Sequence, residues 1–213
     1  MFDKKNICII GYSGHAYVVC DIFASTGKKI TAYYEEEEKI TNPFGLIYLG
    51  NERTQAAIDF LKKHTCFIAI GNNRIRENIY KFLSSNEIDT LTAIAHANAS
   101  CSFSAKIGMG TMVSTKVAIN ALVKIGVGVI CNTGCIIEHE CQINDFAHIA
   151  PGAVLAGNVT VGKRSFVGAN SVVKEGVKIG NDVVIGAGSV VINDIPDGLT
   201  VVGNPAKLIN KVQ

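Results

Sequence analysis

The 213-residue sequence predicts two architectures in one chain: a small Rossmann-like α/β domain over residues 1–94, and an all-β parallel β-helix over 95–213 that ends in a short tail. Three observations predict this. From Ala95 every sixth residue is apolar or a thiol, through Cys101, Ile107, Val113, Ile143, Ile149, Leu155 and Val161 to Ile185 and Val191. Four places after each stands a small or β-branched residue, from Ala99 and Ala105 to Ser189 and Ile195, which makes seventeen hexads in one register. Before Ala95 short apolar runs alternate with helical patterns, the mark of a parallel α/β unit.

A six-residue period fits neither an amphipathic helix nor a hairpin array. It fits a hexapeptide β-helix, in which each hexad is one short strand and one corner and three hexads close a triangular coil. The large residue fills the interior and the small one fits near the corner. Gly108, Gly126, Gly162, Gly168, Gly180 and Gly186, each one place after a large residue, are expected to take the corner's backbone angles. Coils stack at about 4.8 Å, so residues eighteen apart lie above one another.

In the first domain, Asn6–Ile10 reads as a strand running into the loop Gly11-Tyr12-Ser13-Gly14-His15. A helix follows, with Val18, Val19, Ile22 and Phe23 on one face and Gly27 as its stop. Ile30–Tyr34 is a second strand, followed by the acidic run Glu35–Glu38. Thr54–Lys63 is a helix, Cys66–Ile70 a third strand ending in Gly71-Asn72-Asn73, and Arg74–Ser84 another helix. Leu91–Ala95 leads into the first hexad. Ligands of such sheets sit beyond the carboxyl ends of the strands, which marks the loops at Gly11–His15, Glu35–Glu36 and Gly71–Asn73. The first loop lacks the third glycine of a dinucleotide fingerprint. It serves either as a plain βα turn or as an approach for phosphate at a helix N-terminus. Glu35–Glu38 is by default a solvated run, with a ribose or base contact as the sharper alternative.

Composition narrows the classes. Apolar residues make up 48% and charged residues 18%, enough for a buried core, and the net charge is only +2. No basic cluster with interleaved aromatics points to nucleic acid. The apolar run Ile7–Ile10 is too short for a signal h-region or a membrane span. The seven cysteines form no CxxC, and Cys101, Cys131, Cys135 and Cys141 fall on interior hexad slots. The expectation is a reduced, cytoplasmic protein without disulfides.

Interior slots cannot do chemistry, so the outward ones matter. Ile137-Glu138-His139-Glu140-Cys141 stands out: His139 and Glu140 lie off the core slots, and His148 comes nine residues later. A histidine beside carboxylates is the stronger base, suited to general-base work near neutral pH. By itself the run reads first as a solvated surface with an incidental histidine. A zinc site of His96, His139 and His148 is disfavoured, because His96 lies more than two coils away from the others. Above His139 the column continues to Gly157, and the column of Pro151 continues to Ala169 and Ala187. Such a groove of small residues suits a long thin ligand such as the pantetheine arm of coenzyme A. Lys207, in the turn Gly203–Lys207, stands at the top of the helix.

With GYSGH, AIGNNRIR, NTGCIIEHEC, FAHIAPGAVLAGNV and VVGNPAK in place, the chain resembles the sialic-acid O-acetyltransferase-like branch of the hexapeptide acyltransferases. Within that branch it is similar to bacterial N-acetyltransferases of the UDP-4-amino-sugar (bacillosamine) pathway. The resemblance implies a left-handed coil, acetyl-CoA as co-substrate, no metal, and a homotrimer with active sites between chains. It implies His139 as the base and Glu140 as its partner, with His148, Ala169 and Ala187 on coenzyme A. Gly157, from its column above His139, and Lys207, from the turn at the top of the helix, are added to the coenzyme A set. Ser13, Gly14 and His15 would bind the nucleotide-sugar pyrophosphate region, and Glu35, Glu36, Gly71, Asn72 and Arg76 complete the substrate set. The family usually carries Asp-Asp where this chain has Glu35-Glu36, which puts the uridine contact in doubt. The implied reaction is direct attack of the sugar 4-amine on the thioester. A sugar O-acetyltransferase and a non-catalytic sugar-nucleotide binder are the alternatives.

Overall fold

The computed structural model describes residues 7–90 and 93–209. Asn6 of the first expected strand, residues 91–92 of the run into the first hexad, and tail residues 210–213 lie outside the described residues.

The first unit is built from β1 (Ile7–Ile10), α1 (Gly14–Ser25), β2 (Ile30–Tyr34), β3 (Ile47–Tyr48), α2 (Gln55–Leu61), β4 (Thr65–Ile68) and α3 (Asn73–Ser85). The four strands are parallel in the order β3-β2-β1-β4. β1 is buried on both faces, which is why it reads ICII rather than alternating. Ile7 and Ile9 pack with Tyr33, Phe67 and the apolar side of α1. Cys8 and Ile10 face the other way, onto Ala57 and Leu61 of α2 and Ile79 and Leu83 of α3. Each later helix starts on a side-chain cap: Thr54 accepts the Ala57 N–H, and Asn72 accepts those of Arg74 and Ile75. β3 is the element the sequence reading left out.

From Ile94 onward two-residue strands recur every six residues and stack in three parallel sheets. Partners are eighteen residues apart, as in Lys124↔Gln142, Ile130↔His148 and Ile136↔Val154. The interior column is sealed: Ile137, Ile149, Leu155, Val161 and Val167 have no exposed surface. Cys101 departs from its expected burial and is exposed. It lies in the first coil, with no coil beneath to cover it. The corner angles also fall elsewhere than expected. Positive φ occurs three places after the large residue, at Gly128, Gly134 and, without glycine, at Leu122, Glu140 and Asn158. Gly108 and Gly126 are glycines for a different reason: a Cβ on Gly108 would strike the backbone of Gly126 in the next coil.

The two units share a core. Met112, an outward residue of its coil, is 1% exposed and packs with Ile130 and Ile94 against the α1 side of the sheet. Leu122 does point into solvent, at 57% exposure. At the upper edge of this junction Glu77 of α3 pairs with Lys163 (2.9 Å) and Arg164 (3.0 Å) of the β-helix. Burial works against the Glu77 charge, but hydrogen bonds from Lys163, Lys81 and Arg164 outweigh it and hold the carboxyl down to about 2. The tail returns as a strand, Thr200–Val202, parallel to Val184–Ile185 and antiparallel to Lys207–Leu208.

Candidate active site

The candidate residues gather in two places. The first is the corner that carries His139. Glu140 sits there at φ 61, which turns its side chain back beside its neighbour. Its Oε2 accepts a hydrogen bond from Nδ1 of His139 at 3.2 Å. That assigns the proton to Nδ1 and leaves Nε2 with a lone pair. The imidazole lies over Gly157, eighteen residues on: a Cβ there would come within 2.5 Å of Cε1 and 2.6 Å of Nε2. Gly157 is therefore the floor under the ring. Beside Glu140 opens a cavity of about 350 Å³ lined by Ser104, Lys106, Leu122, Lys124, Gln142 and Asn158. The sequence reading missed this cavity. Its signal was the pair of columns 104-122-140-158 and 106-124-142.

The second place is the junction of the two units. His148 follows Met112 and Ile130 up the same outward column, just beyond the part covered by the α/β unit. Nδ2 of Asn132 donates to its Nε2 (3.2 Å), and Phe166 meets its ring edge-on at 5.0 Å. The His15 ring lies 6.5 Å from that of His148 and rests on Gly71. Burial lowers the pKa of His148 to about 3 and of His15 to about 4, with the cation of Arg76 adding to both. Both imidazoles are neutral near pH 7.

Next to His15, Ser13 is the N-cap of α1 but makes no side-chain cap bond, and nothing lies within 4 Å of where a Cβ on Gly14 would stand. The helix thus opens with free donors onto a cleft of about 480 Å³ lined by Tyr12, Tyr17, Glu37, Glu38 and Ile40 among others. These lining residues were not singled out from the sequence. Several expected contacts have other partners. Glu35 accepts the Tyr12 N–H (3.0 Å) and pairs with Lys39 (3.5 Å), so it shapes the loop from behind. Glu36 is exposed and is not among the residues lining the cleft. Asn72 uses Oδ1 as the α3 cap. Arg76, expected to touch substrate, is 2% exposed with its guanidinium held by backbone carbonyls and Asn73.

The remaining residues follow the axis. The Ala169 carbonyl accepts the N–H of Gly188 in the next coil (2.8 Å), and Ala187 and Lys207 are exposed. They rise on the His148 side, whereas His139 and His148 are half a coil apart. The cross-section of the β-helix lies between those two histidines. Among the described residues no group of three His, Cys, Asp or Glu is placed to hold a metal ion, and no helix is long and apolar enough to cross a membrane.

Comparison with known proteins follows the same division. Residues 6–83 match the PglD N-terminal domain model, and residues 158–193 match the bacterial transferase hexapeptide (six repeats) model. The chain is 35% identical over 111 residues to UDP-N-acetylbacillosamine N-acetyltransferase of Bacillus subtilis, an alignment that spans 51% of each protein. A histidine-to-alanine variant of GDP-perosamine N-acetyltransferase from Caulobacter crescentus, solved with CoA and GDP-perosamine, superimposes with a TM-score of 0.90. It is 33% identical and the match covers 97% of both chains. The acetyltransferase domain of PglB from Neisseria gonorrhoeae, in complex with acetyl coenzyme A, gives a TM-score of 0.90 at 32% identity, over 97% of this chain and all of that one (100%). The fold is the left-handed parallel β-helix with a Rossmann-like domain at its N-terminal end, and the chain belongs to the PglD-type, hexapeptide-repeat family of sugar N-acetyltransferases.

Proposed function

We propose that this chain transfers the acetyl group of acetyl-CoA to the 4-amino group of a nucleotide-linked sugar, a UDP-4-amino-4,6-dideoxy-N-acetylhexosamine, in the cytoplasm. The observation that carries the reading is the His139 corner: an imidazole seated on a bare glycine, its Nδ1–H held by Glu140, its Nε2 free. Solved relatives bound to CoA or to both CoA and a nucleotide amino sugar support it.

The amine nitrogen attacks the thioester carbon and the C–N bond forms. Nε2 of His139 takes the amine proton, and Glu140 stabilises the resulting imidazolium. Collapse of the tetrahedral intermediate breaks the C–S bond, and the proton passes on to the coenzyme A sulfur. No acyl-enzyme is needed, since the amine is itself a good nucleophile and Cys141 is buried. The division of labour follows the two units, 1–94 and 95–213. Ser13, Gly14 and His15 hold the pyrophosphate end of the sugar nucleotide at the start of α1. His148, Ala169, Ala187 and Lys207 line the path of coenzyme A.

His139 and this second set lie on opposite sides of one β-helix. A complete site therefore takes the corner of one copy and the junction of the next, which a homotrimer with parallel axes supplies.

Purified protein should release free thiol from acetyl-CoA with the UDP-4-amino sugar and not with hydroxyl acceptors. Light scattering at micromolar concentration should give a trimer mass. Mixing inactive His139→Ala with inactive His15→Ala protein, then reassembling, should restore turnover, because some sites then draw a good half from each variant. A monomeric, fully active enzyme would reject the shared site, and failure to bind coenzyme A would reject the reaction.

A further inference from the structure

Arg76 is a buried cation that forms no ion pair among the described residues. Its nearest acidic neighbour in sequence, Glu77, is held by Lys81, Lys163 and Arg164. All of its donors are engaged instead by uncharged oxygens. Nε reaches the Gly128 carbonyl (2.7 Å), and Nη1 the carbonyls of Ile70 and Gly71 (both 3.0 Å). Nη2 reaches Phe146 O (2.9 Å) and Asn73 Oδ1 (2.8 Å). Asn73 in turn donates from Nδ2 to Arg164 O (2.8 Å).

The β-helix residues in this set are spaced eighteen apart. Gly128, Phe146 and Arg164 are three successive corners with φ of 60, 57 and 59, stacked one per coil. Arg76 and Asn73 together read the three corner carbonyls. The same guanidinium holds Gly71, on which the His15 ring rests, and the carbonyl of Phe146, two residues before His148.

We propose that Arg76 is a positioning residue for acetyl transfer: it registers the loop Ile70–Asn73, and with it His15, against the β-helix strand that carries His148. The proposal rests on the functional reading above. A guanidinium fork suits the task, because five fixed donors reach carbonyls from both units at once, whereas an ammonium presents three donors from one point.

Arg76→Lys keeps the charge and loses the fork. In that variant kcat/KM for the UDP-4-amino sugar should fall by about 10- to 100-fold, the scale of a small misplacement of bound groups. The Kd for coenzyme A should stay within about twofold, since its groove belongs to the rigid coils. Glu77→Gln is the control. It weakens the same domain junction without touching the loop, so it should lower Tm while leaving kcat/KM nearly unchanged. Amide hydrogen exchange gives a readout without substrate: Gly71 and Asn72 should exchange faster in Arg76→Lys and not in Glu77→Gln. Should Arg76→Lys fail to fold, Asn73→Ala removes the Oδ1 acceptor and the bond to Arg164 O, and should move kinetics and exchange in the same direction. Wild-type kcat/KM and loop exchange in these variants would overturn the proposal, as would an equal kinetic loss in Glu77→Gln. A wild-type protein that acetylates no amino sugar rejects the functional reading, and exchange at Gly71 then decides alone whether Arg76 fixes the loop.

Discussion

The β-helix and the α/β unit hold their candidate groups by opposite means. In the β-helix a side chain is placed by its rank in a repeating coil. His139 lies over Gly157 because the two are eighteen residues apart. In the α/β unit nothing repeats, and each group is placed by particular bonds: Glu35 on the Tyr12 N–H, Asn72 on the start of α3, Arg76 on Gly71. The difference teaches where each region is fragile. A coil tolerates change at its outward slots and none at its inner ones. The α/β loops depend on a few particular polar contacts, such as Arg76 on Ile70 and Gly71.

The largest expected effect breaks the repeat itself. Ile143 is 2% exposed between stacked coils. Ile143→Asp buries an unpaired carboxylate, a cost of several kcal/mol, on the scale of the whole stability. Soluble expression should be lost, and a melting curve near wild type would show that the register is wrong.

Next comes the proposed base. His139→Ala should lower kcat by about 10²- to 10⁴-fold with both dissociation constants kept. Glu140→Gln should act in the same direction but less. His148→Ala should mainly raise KM for acetyl-CoA. The reverse pattern, with turnover abolished by His148→Ala and kept by His139→Ala, would move the base to the other histidine.

Acid sharpens the contrast between the regions. His15 and His148 have folded pKa values of about 4 and about 3 against an ordinary 6.5. The unfolded chain therefore binds more protons between those limits, and stability rises with pH there. It is fully present above about pH 6.5 and lost as pH falls toward 4 and then 3, on the order of 2 kcal/mol per imidazole after allowance for partial exposure. The double variant His15→Asn, His148→Asn should flatten this slope in urea titrations taken from pH 4 to 7.

Two glycines give the smallest and most selective test. Gly157→Ala pushes on the His139 ring and should lower kcat by about 10-fold without weakening the sugar nucleotide. Gly14→Val places its branch in the open cleft and should weaken the sugar nucleotide by about 10-fold while coenzyme A still binds. Calorimetry with each ligand separates the two, and equal loss of both ligands in either variant would mean misfolding.

Much of this was legible before any coordinates. The interior column from Val113 to Val191 follows from spacing, and so does the stacking of His139 on Gly157. The junction was not. Met112 and Ile130 are apolar, outward and eighteen apart, a visible patch that says nothing about which surface covers it. The role of Arg76 was hidden for a deeper reason: its partners are mostly main-chain carbonyls, which every residue possesses. The cleft at the start of α1 was half legible. Ser13, Gly14 and His15 follow from a glycine loop before a helix. Tyr12, Tyr17 and Glu37 are brought together by the path of the segment after β2, whose turns carry no period. Gly108 and Gly126 were found and misexplained, because a tight backbone contact between coils leaves the same residue type as a left-handed corner.

The corners held by Arg76 and Asn73 lie below the upper part of the groove proposed for coenzyme A. The α/β unit grips Gly128, Phe146 and Arg164, while Ala187 and the tail lie above. Eighteen residues inserted above Val173 would add one coil, about 4.8 Å of extra groove, leave the Arg76 and Asn73 contacts and the His139 corner where they are, and part Arg74 from Asp182. An insertion that is not a multiple of six would turn the inward side chains above it off the core, and one of six or twelve would keep them inward but move every column above it to another face. Gain or loss of whole coils is therefore a route by which such a chain can lengthen or shorten the proposed groove without rebuilding the His139 corner.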